Sequence, residues 1–265
     1  MTTKPSKAKI RSIDVLIDTK FEEQIGVYGE AFWNGITVGD YEADTFDFIE
    51  LRAIAGSKVF IDVGSATGCM VFYAAAMGMK VIGTEPQNLI FEALKRNLDL
   101  NPHLSDKVTI LHSLVASNSQ DELNQSKFFT PGASGPLQKA IDATNVSLKT
   151  LLSGLSTEDK VSVKVDIEGA EYPLLSDIET LKELKEKRVT MYLSFHPGFN
   201  RYLGASPSFL KLTIWRVFTL IETVKFVRIV QRFAKISLLK SDQKLRLLNV
   251  LKKLAQDQKD YVISF

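Results

Sequence analysis

Three acids fall within six residues where an apolar run ends: Asp166, Glu168 and Glu171 in K-V-S-V-K-V-D-I-E-G-A-E (160–171). A carboxylate at the end of a buried strand is costly to desolvate unless it has a role. Asp166 and Glu168 are therefore candidates for taking a proton from a substrate, or for jointly holding a divalent ion. Gly169 permits the turn that follows. Glu171 falls in the first turn of the next helix, where the helix dipole alone accounts for an acid.

A second constellation lies upstream in V-F-I-D-V-G-S-A-T-G-C-M (59–70). Asp62, Gly64 and Gly68 sit on a strand–turn–helix pattern. Gly64 lets the backbone turn sharply, and Gly68 is expected to let a ligand approach the helix start. That helix start presents free N–H groups and partial positive charge. A dinucleotide fingerprint requires G-x-G-x-x-G, but Ala66 and Cys69 stand where its second and third glycines belong. An NAD-type oxidoreductase is thus disfavoured. The D-x-G-x-x-x-G spacing suits S-adenosylmethionine, which has no pyrophosphate to cradle. Glu85 ends the next strand, 21 residues after Gly64, and an acid there can accept from both hydroxyls of a ribose. The bland alternatives are a glycine turn without a ligand and a solvated strand-end acid.

The chain has three histidines. His103 follows Pro102 in a polar turn and is expected to face solvent. His112 lies within a strand and reads as a hydrogen-bonded core residue. His196 comes directly after an apolar strand and before Pro197 and Gly198. It is the preferred general base, with Asp166 or Glu168 as the rival.

These residues need elements to position them. Apolar runs at 58–63, 80–85, 107–116, 160–167 and 188–195 alternate with helical patterns at 45–56, 69–78, 88–101 and after 170. Such alternation predicts an α/β fold with a doubly wound, mostly parallel sheet covered on both faces. Ligands of such sheets bind at the carboxyl ends of the strands. Residues 1–39 read as an N-terminal lead, disordered over 1–12. Residues 40–204 form the core, 205–256 a basic helical insertion and 257–265 a closing edge strand. Residues 117–149 read as a long loop, with a short hairpin around Phe128–Phe129 and Val146.

The 265 residues carry a formal net charge of +2, which says little about partners. The distribution says more: between Phe209 and Lys253 eleven Lys and Arg face only Glu222 and Asp242. Three readings of that basic segment stand open. It is a lid over the substrate site, a helical pair lying on an anionic membrane through 209–240, or a dimer contact. Nucleic acid is not expected as a partner, since no recognised motif or stacking platform is present. The single cysteine, Cys69, excludes a disulfide framework and points to a reducing compartment. No signal peptide or spanning helix is read, so the expectation is a cytoplasmic protein, with peripheral membrane contact as the variant. The oligomeric state stays open.

The stretches F-I-D-V-G-S-A-T-G, G-T-E-P, S-L-K-T-L-L (147–152), K-V-D-I-E-G-A-E-Y-P-L-L and S-F-H-P-G (194–198) together resemble the FkbM family of S-adenosylmethionine-dependent methyltransferases. The resemblance covers about residues 40–200. It implies a class I methyltransferase fold and an O-methyltransferase that acts on a hydroxyl of a carbohydrate, glycoconjugate or related natural product. Carried over by position, Asp62, Gly64, Ser65 and Gly68 would lie along the methionine part of the donor. Glu85, with Pro86 beside it, would hold the ribose. Asp166 would sit near the transferred methyl, and Glu42 in G-D-Y-E-A-D-T-F would reach the cofactor amine. Two departures are visible. The turn reads G-S-A-T-G rather than G-A-N-x-G. The third strand ends L-H-S-L-V-A-S without an acid, which leaves Ser113 or backbone to accept from the adenine amino group. A metal stays open, and the non-enzyme alternative is a membrane-associated binding protein of the same fold.

Overall fold

A computed structural model describes residues 5–26, 28–116, 143–167, 171–195, 209–241, 243–255 and 260–265. The chain divides into two compact units, residues 1–114 with 135–144 and 160–162, and residues 115–134 with 145–159 and 163–265.

The first unit opens with a hairpin, β1 (Ser6–Ile10) and β2 (Ile13–Ile17), paired antiparallel from Ser6↔Ile17 to Ile10↔Ile13. Ala8, Ile10, Val15 and Ile17 are buried on alternate positions, with Lys7, Lys9, Asp14 and Leu16 facing out. This corrects the disorder expected over 5–12, while residues 1–4 lie outside the described residues. The polar, basic composition hides a period-two pattern only five residues long. Helix α1 (Thr19–Gln24) starts at Asp18, whose carboxylate accepts the Phe21 N–H at 3.1 Å. Helices α2 (Gly29–Val38) and α3 (Ala43–Ile54) follow. Then come β3 (Val59–Val63), α4 (Cys69–Ala76), β4 (Lys80–Thr84), α5 (Asn88–Asp99), α6 (Pro102–Ser105) and β5 (Val108–Leu111).

Strands β3 and β4 pair parallel, as do β4 and β5. Every residue of β3 is buried, as a strand covered on both faces must be. Helix α5 buries Ile90, Ala93, Leu94 and Asn97, the i, i+3, i+4, i+7 face of an amphipathic helix. The run expected as one strand over 107–116 is two. It breaks at His112, and β6 (Ser113–Ala116) pairs with β7 (Thr144–Ser147) in a separate two-stranded sheet. Val146 of the expected hairpin lies in β7, while Phe128 and Phe129 lie outside the described residues.

The second unit contains α7 (Leu148–Ser153), begun by Ser147, whose hydroxyl accepts the Thr150 N–H at 2.9 Å. Strand β8 (Val161–Val165) is buried throughout, and its first two residues count with the first unit. After α8 (Glu171–Leu174) and α9 (Ile178–Glu186) come β9 (Thr190–Ser194), α10 (Phe209–Val230), β10 (Lys235–Ser237), α11 (Leu247–Ala255) and β11 (Asp260–Ser264). The main sheet has seven strands in the order β10-β11-β9-β8-β3-β4-β5. Strand β11 pairs antiparallel with both β9 and β10. The closing strand is therefore interior rather than the edge that the sequence suggests. The basic segment, read as wholly helical, contributes the edge strand β10, which at three residues is too short to show a period. Helix α10 is anchored by Phe226, Val227 and Val230, with Phe226 stacked on Phe195 at 5.1 Å between ring centroids.

Candidate functional site

The chain turns between β3 and α4 through a left-handed path. Gly64 has φ +86°, Ala66 +48° and Gly68 +102°. The Gly64 and Ser65 N–H groups both donate to the Thr84 carbonyl, at 3.1 and 2.9 Å, and Gly68 N–H donates to Ser65 at 2.9 Å. Ser65 is buried, and its hydroxyl donates back to the Asp62 carbonyl at 2.9 Å. The Asp62 side chain is fully buried beneath the turn.

Packing constrains two glycines of this region. A Cβ on Gly68 would stand 2.5 Å from Leu94 Cδ1 and 2.8 Å from Phe72 Cζ. The sequence reading gave Gly68 to ligand approach; its close packing also lets α4 begin against α5. A Cβ on Gly83 would stand 2.8 Å from Ser65 Oγ. Sequence reasoning missed Gly83, although a glycine inside a strand is itself a signal of close backbone approach.

Glu85 draws the constellation together. It is buried at the end of β4. One carboxylate oxygen accepts the Ala66 N–H at 3.1 Å and the other accepts the Gln87 N–H at 2.9 Å. A non-glycine residue in the left-handed region costs about 1–3 kcal/mol unless its surroundings hold it there. The bond to Glu85 does so for Ala66, one of the two residues that spoil the dinucleotide fingerprint. Beyond Glu85, the Pro86 carbonyl lies 3.1 Å from His112 Nε2, and the His112 ring stacks on Phe91 at 5.0 Å. His112 is thus a half-buried wall beside Pro86, not a core residue. His103 is exposed, as expected. Ser113 is buried, its hydroxyl paired with that of Thr144 at 2.9 Å.

Glu42 precedes α3 with φ +44°. The neighbouring Tyr41 phenol is pushed up, first by burial, then by the charges of Glu42 and Cys69, and by a hydrogen bond to Glu42. The sequence gave no signal for Tyr41.

In the second unit, Asp166 directly follows β8. Lys164 Nζ lies 3.6 Å from its Oδ2, and the Lys164 side chain is only 5% exposed. Sequence reasoning passed over this lysine, although a lysine inside an apolar strand needs an anionic partner. Glu171 is fully buried in the first turn of α8. Glu168 and His196 lie outside the described residues. Among the described residues, no group of three or more His, Cys, Asp or Glu is placed to hold a metal ion.

A family model described as the methyltransferase FkbM domain matches residues 62–235. No curated protein matches the chain. Among solved structures, monomeric WbdD aligns with a TM-score of 0.45 and 12% identity, over 93% of this chain and 48% of that one. The human methyltransferase 10 domain containing protein aligns at 0.37 and 13%, over 85% and 80%. The N-terminal domain of human METTL16 in complex with S-adenosylhomocysteine aligns at 0.35 and 15%, over 85% and 67%. At these scores the structures carry no argument about substrate, and the weight rests on the family match.

Proposed function

The chain belongs to the FkbM methyltransferase family, and on that premise we propose that it methylates a hydroxyl oxygen of a carbohydrate, glycoconjugate or related natural product, with S-adenosylmethionine as donor. The observation that carries the donor half is the Glu85 clamp on the turn before α4. A carboxylate has about four acceptor positions, so holding two N–H groups is compatible with accepting from vicinal ribose hydroxyls. The turn matches the rest of the donor. Its Gly64 and Ser65 N–H groups are drawn onto β4 and its Ala66 N–H onto Glu85, and Glu42 would supply the acid that an amine needs. The hydroxyl class of acceptor is supported by the K-V-D-I-E-G-A-E resemblance.

When bound, S-adenosylmethionine supplies a sulfonium methyl open to in-line displacement. The chain's own part is alignment and proton removal. Glu85 fixes the ribose end and Glu42 the amine end. His196 would take the acceptor hydroxyl proton, with Asp166 or Glu168 as rival base. A positioned base contributes about 10²–10⁴-fold. Lys164 fixes the Asp166 carboxylate for either role.

Incubation with S-adenosylmethionine and a panel of saccharides is expected to release S-adenosylhomocysteine and give an alkali-stable methyl ether. Methyl found on nitrogen or on a carboxylate overturns the hydroxyl assignment. His196→Ala is expected to slow transfer by about a hundredfold with donor affinity kept. Full turnover in that variant would move the base to Asp166 or Glu168.

One observation favours work at a membrane surface. Ile221, Lys225, Arg228 and Arg232 recur at i, i+4, i+7 and i+11 and are all exposed, next to exposed Leu220. Among the described residues no helix is long and apolar enough to cross a membrane. The face suits an anionic lipid surface, with each cation contributing about 1 kcal/mol. The protein should co-sediment with vesicles containing phosphatidylserine, and a Lys225→Glu, Arg228→Glu variant should not. Equal sedimentation of both forms argues against membrane contact through this face.

A further inference from the structure

Helix α1 contributes a carboxylate to the interior of the first unit. Glu22 is fully buried, and N–H groups from three residues converge on its carboxylate. Trp33 Nε1 donates to its two oxygens at 2.8 and 3.1 Å, Gly29 N–H at 3.0 Å and Asn97 Nδ2 at 2.9 Å. Burial pushes the carboxyl up; bonds from Asn97, Trp33, Gly29 and Thr67 oppose that shift. Asn97, itself buried on α5, also donates to the Thr67 carbonyl at 3.1 Å and accepts the Asp18 N–H at 2.8 Å. Its two amide hydrogens are thus divided between Glu22 and Thr67. Thr67 immediately precedes Gly68 in the turn before α4.

We infer that Glu22 is a positioning residue for the donor-binding turn. The carboxylate orients the Asn97 amide, and the amide fixes the Thr67 carbonyl and with it the start of α4. A glutamine at position 22 would turn an amide NH2 toward a cluster of donors, so the isosteric variant breaks the relay while keeping the volume. The segment before the matched residues 62–235 thereby becomes part of the methyltransferase machinery rather than a lead. The inference rests on the reading that the Gly64–Gly68 turn holds S-adenosylmethionine.

Two readouts on the full chain test it: calorimetric titration with S-adenosylhomocysteine well below the melting temperature, and amide hydrogen exchange of the ligand-free turn. Glu22→Gln is expected to weaken S-adenosylhomocysteine about tenfold, the equivalent of one hydrogen bond. Exchange at Gly68 and Phe72 should accelerate, because local opening controls it. Asn97→Ala, which releases the Thr67 carbonyl directly, should do the same and serves if Glu22→Gln does not fold. Ile10→Ala truncates the N-terminal hairpin core outside the relay. It should lower the melting temperature with affinity and turn exchange unchanged. The inference is overturned if Glu22→Gln and Asn97→Ala lose stability while keeping wild-type affinity and turn exchange, or if Ile10→Ala loses affinity in proportion to its stability. Failure of the wild type to bind S-adenosylhomocysteine would instead remove the donor reading on which the inference stands.

Discussion

Gly68→Ala is expected to cost about 2–5 kcal/mol of stability, from backbone strain and overpacking together, and to abolish measurable S-adenosylhomocysteine binding. Two independent effects converge on this residue. Its φ of +102° lies where L side chains are strained. Its Cβ would also fall 2.5 Å from Leu94 Cδ1 and 2.8 Å from Phe72 Cζ. Neither neighbour has room to yield, since both side chains are fully buried. The clash pushes α4 away from α5 and drags the turn with it. Thermal unfolding should show a midpoint lower by roughly 5–15 °C for a chain of this size. Gly78→Ala is the matching control, because Gly78 has φ +93° with nothing within 4 Å of the added Cβ. It should show the strain without the clash. A Gly68→Ala midpoint equal to that of Gly78→Ala would mean that the packing explanation is wrong.

Glu85→Ala is expected to weaken S-adenosylhomocysteine by about 10²–10³-fold, the equivalent of two hydrogen bonds to a charged acceptor. The loss has two sources that can be separated. On the proposed reading the variant would deprive the ribose of its acceptor, and it leaves the Ala66 N–H without the carboxylate that holds Ala66 at φ +48°. A ligand lacking the ribose 2′-hydroxyl should bind the wild type more weakly and the variant with no further loss. Equal discrimination by both proteins would show that Glu85 only braces the turn. The direct ribose contact would then have to be given up, although the turn could still hold the donor. NAD should bind neither protein, and wild-type binding of NAD would return the oxidoreductase reading to contention.

Much of the core was legible because its signals are local and repeated. The runs V-F-I-D-V and V-S-V-K-V are apolar enough to be strands buried on both faces, and both are. The 21-residue spacing of Gly64 and Glu85 matches adjacent parallel strands, and β3 and β4 do pair in parallel. What failed locally failed for physical reasons. The hairpin at 6–17 is two five-residue strands in a Lys- and Ser-rich stretch, where composition outweighs period. The run 107–116 keeps strand character throughout, and only the side-chain partners of His112 show why it divides. Strand β11 reads as an edge because nothing local to it reveals that Lys235–Ser237 will pair alongside.

The sequence by itself determined the family, the α/β class and the identity of the acids and glycines around the turn, since these depend on residue type and spacing along one chain. Only the tertiary structure decided which remote segments those residues pack against. Gly68 gained a packing reason because Leu94, 26 residues away in sequence, lies 2.5 Å from its missing Cβ. Glu22 acquired a place behind the turn because Asn97, 75 residues later, bridges it to Thr67. Hydrogen bonds and van der Waals contacts are decided by distance in space, and distance in space between remote segments is fixed only when the whole core packs.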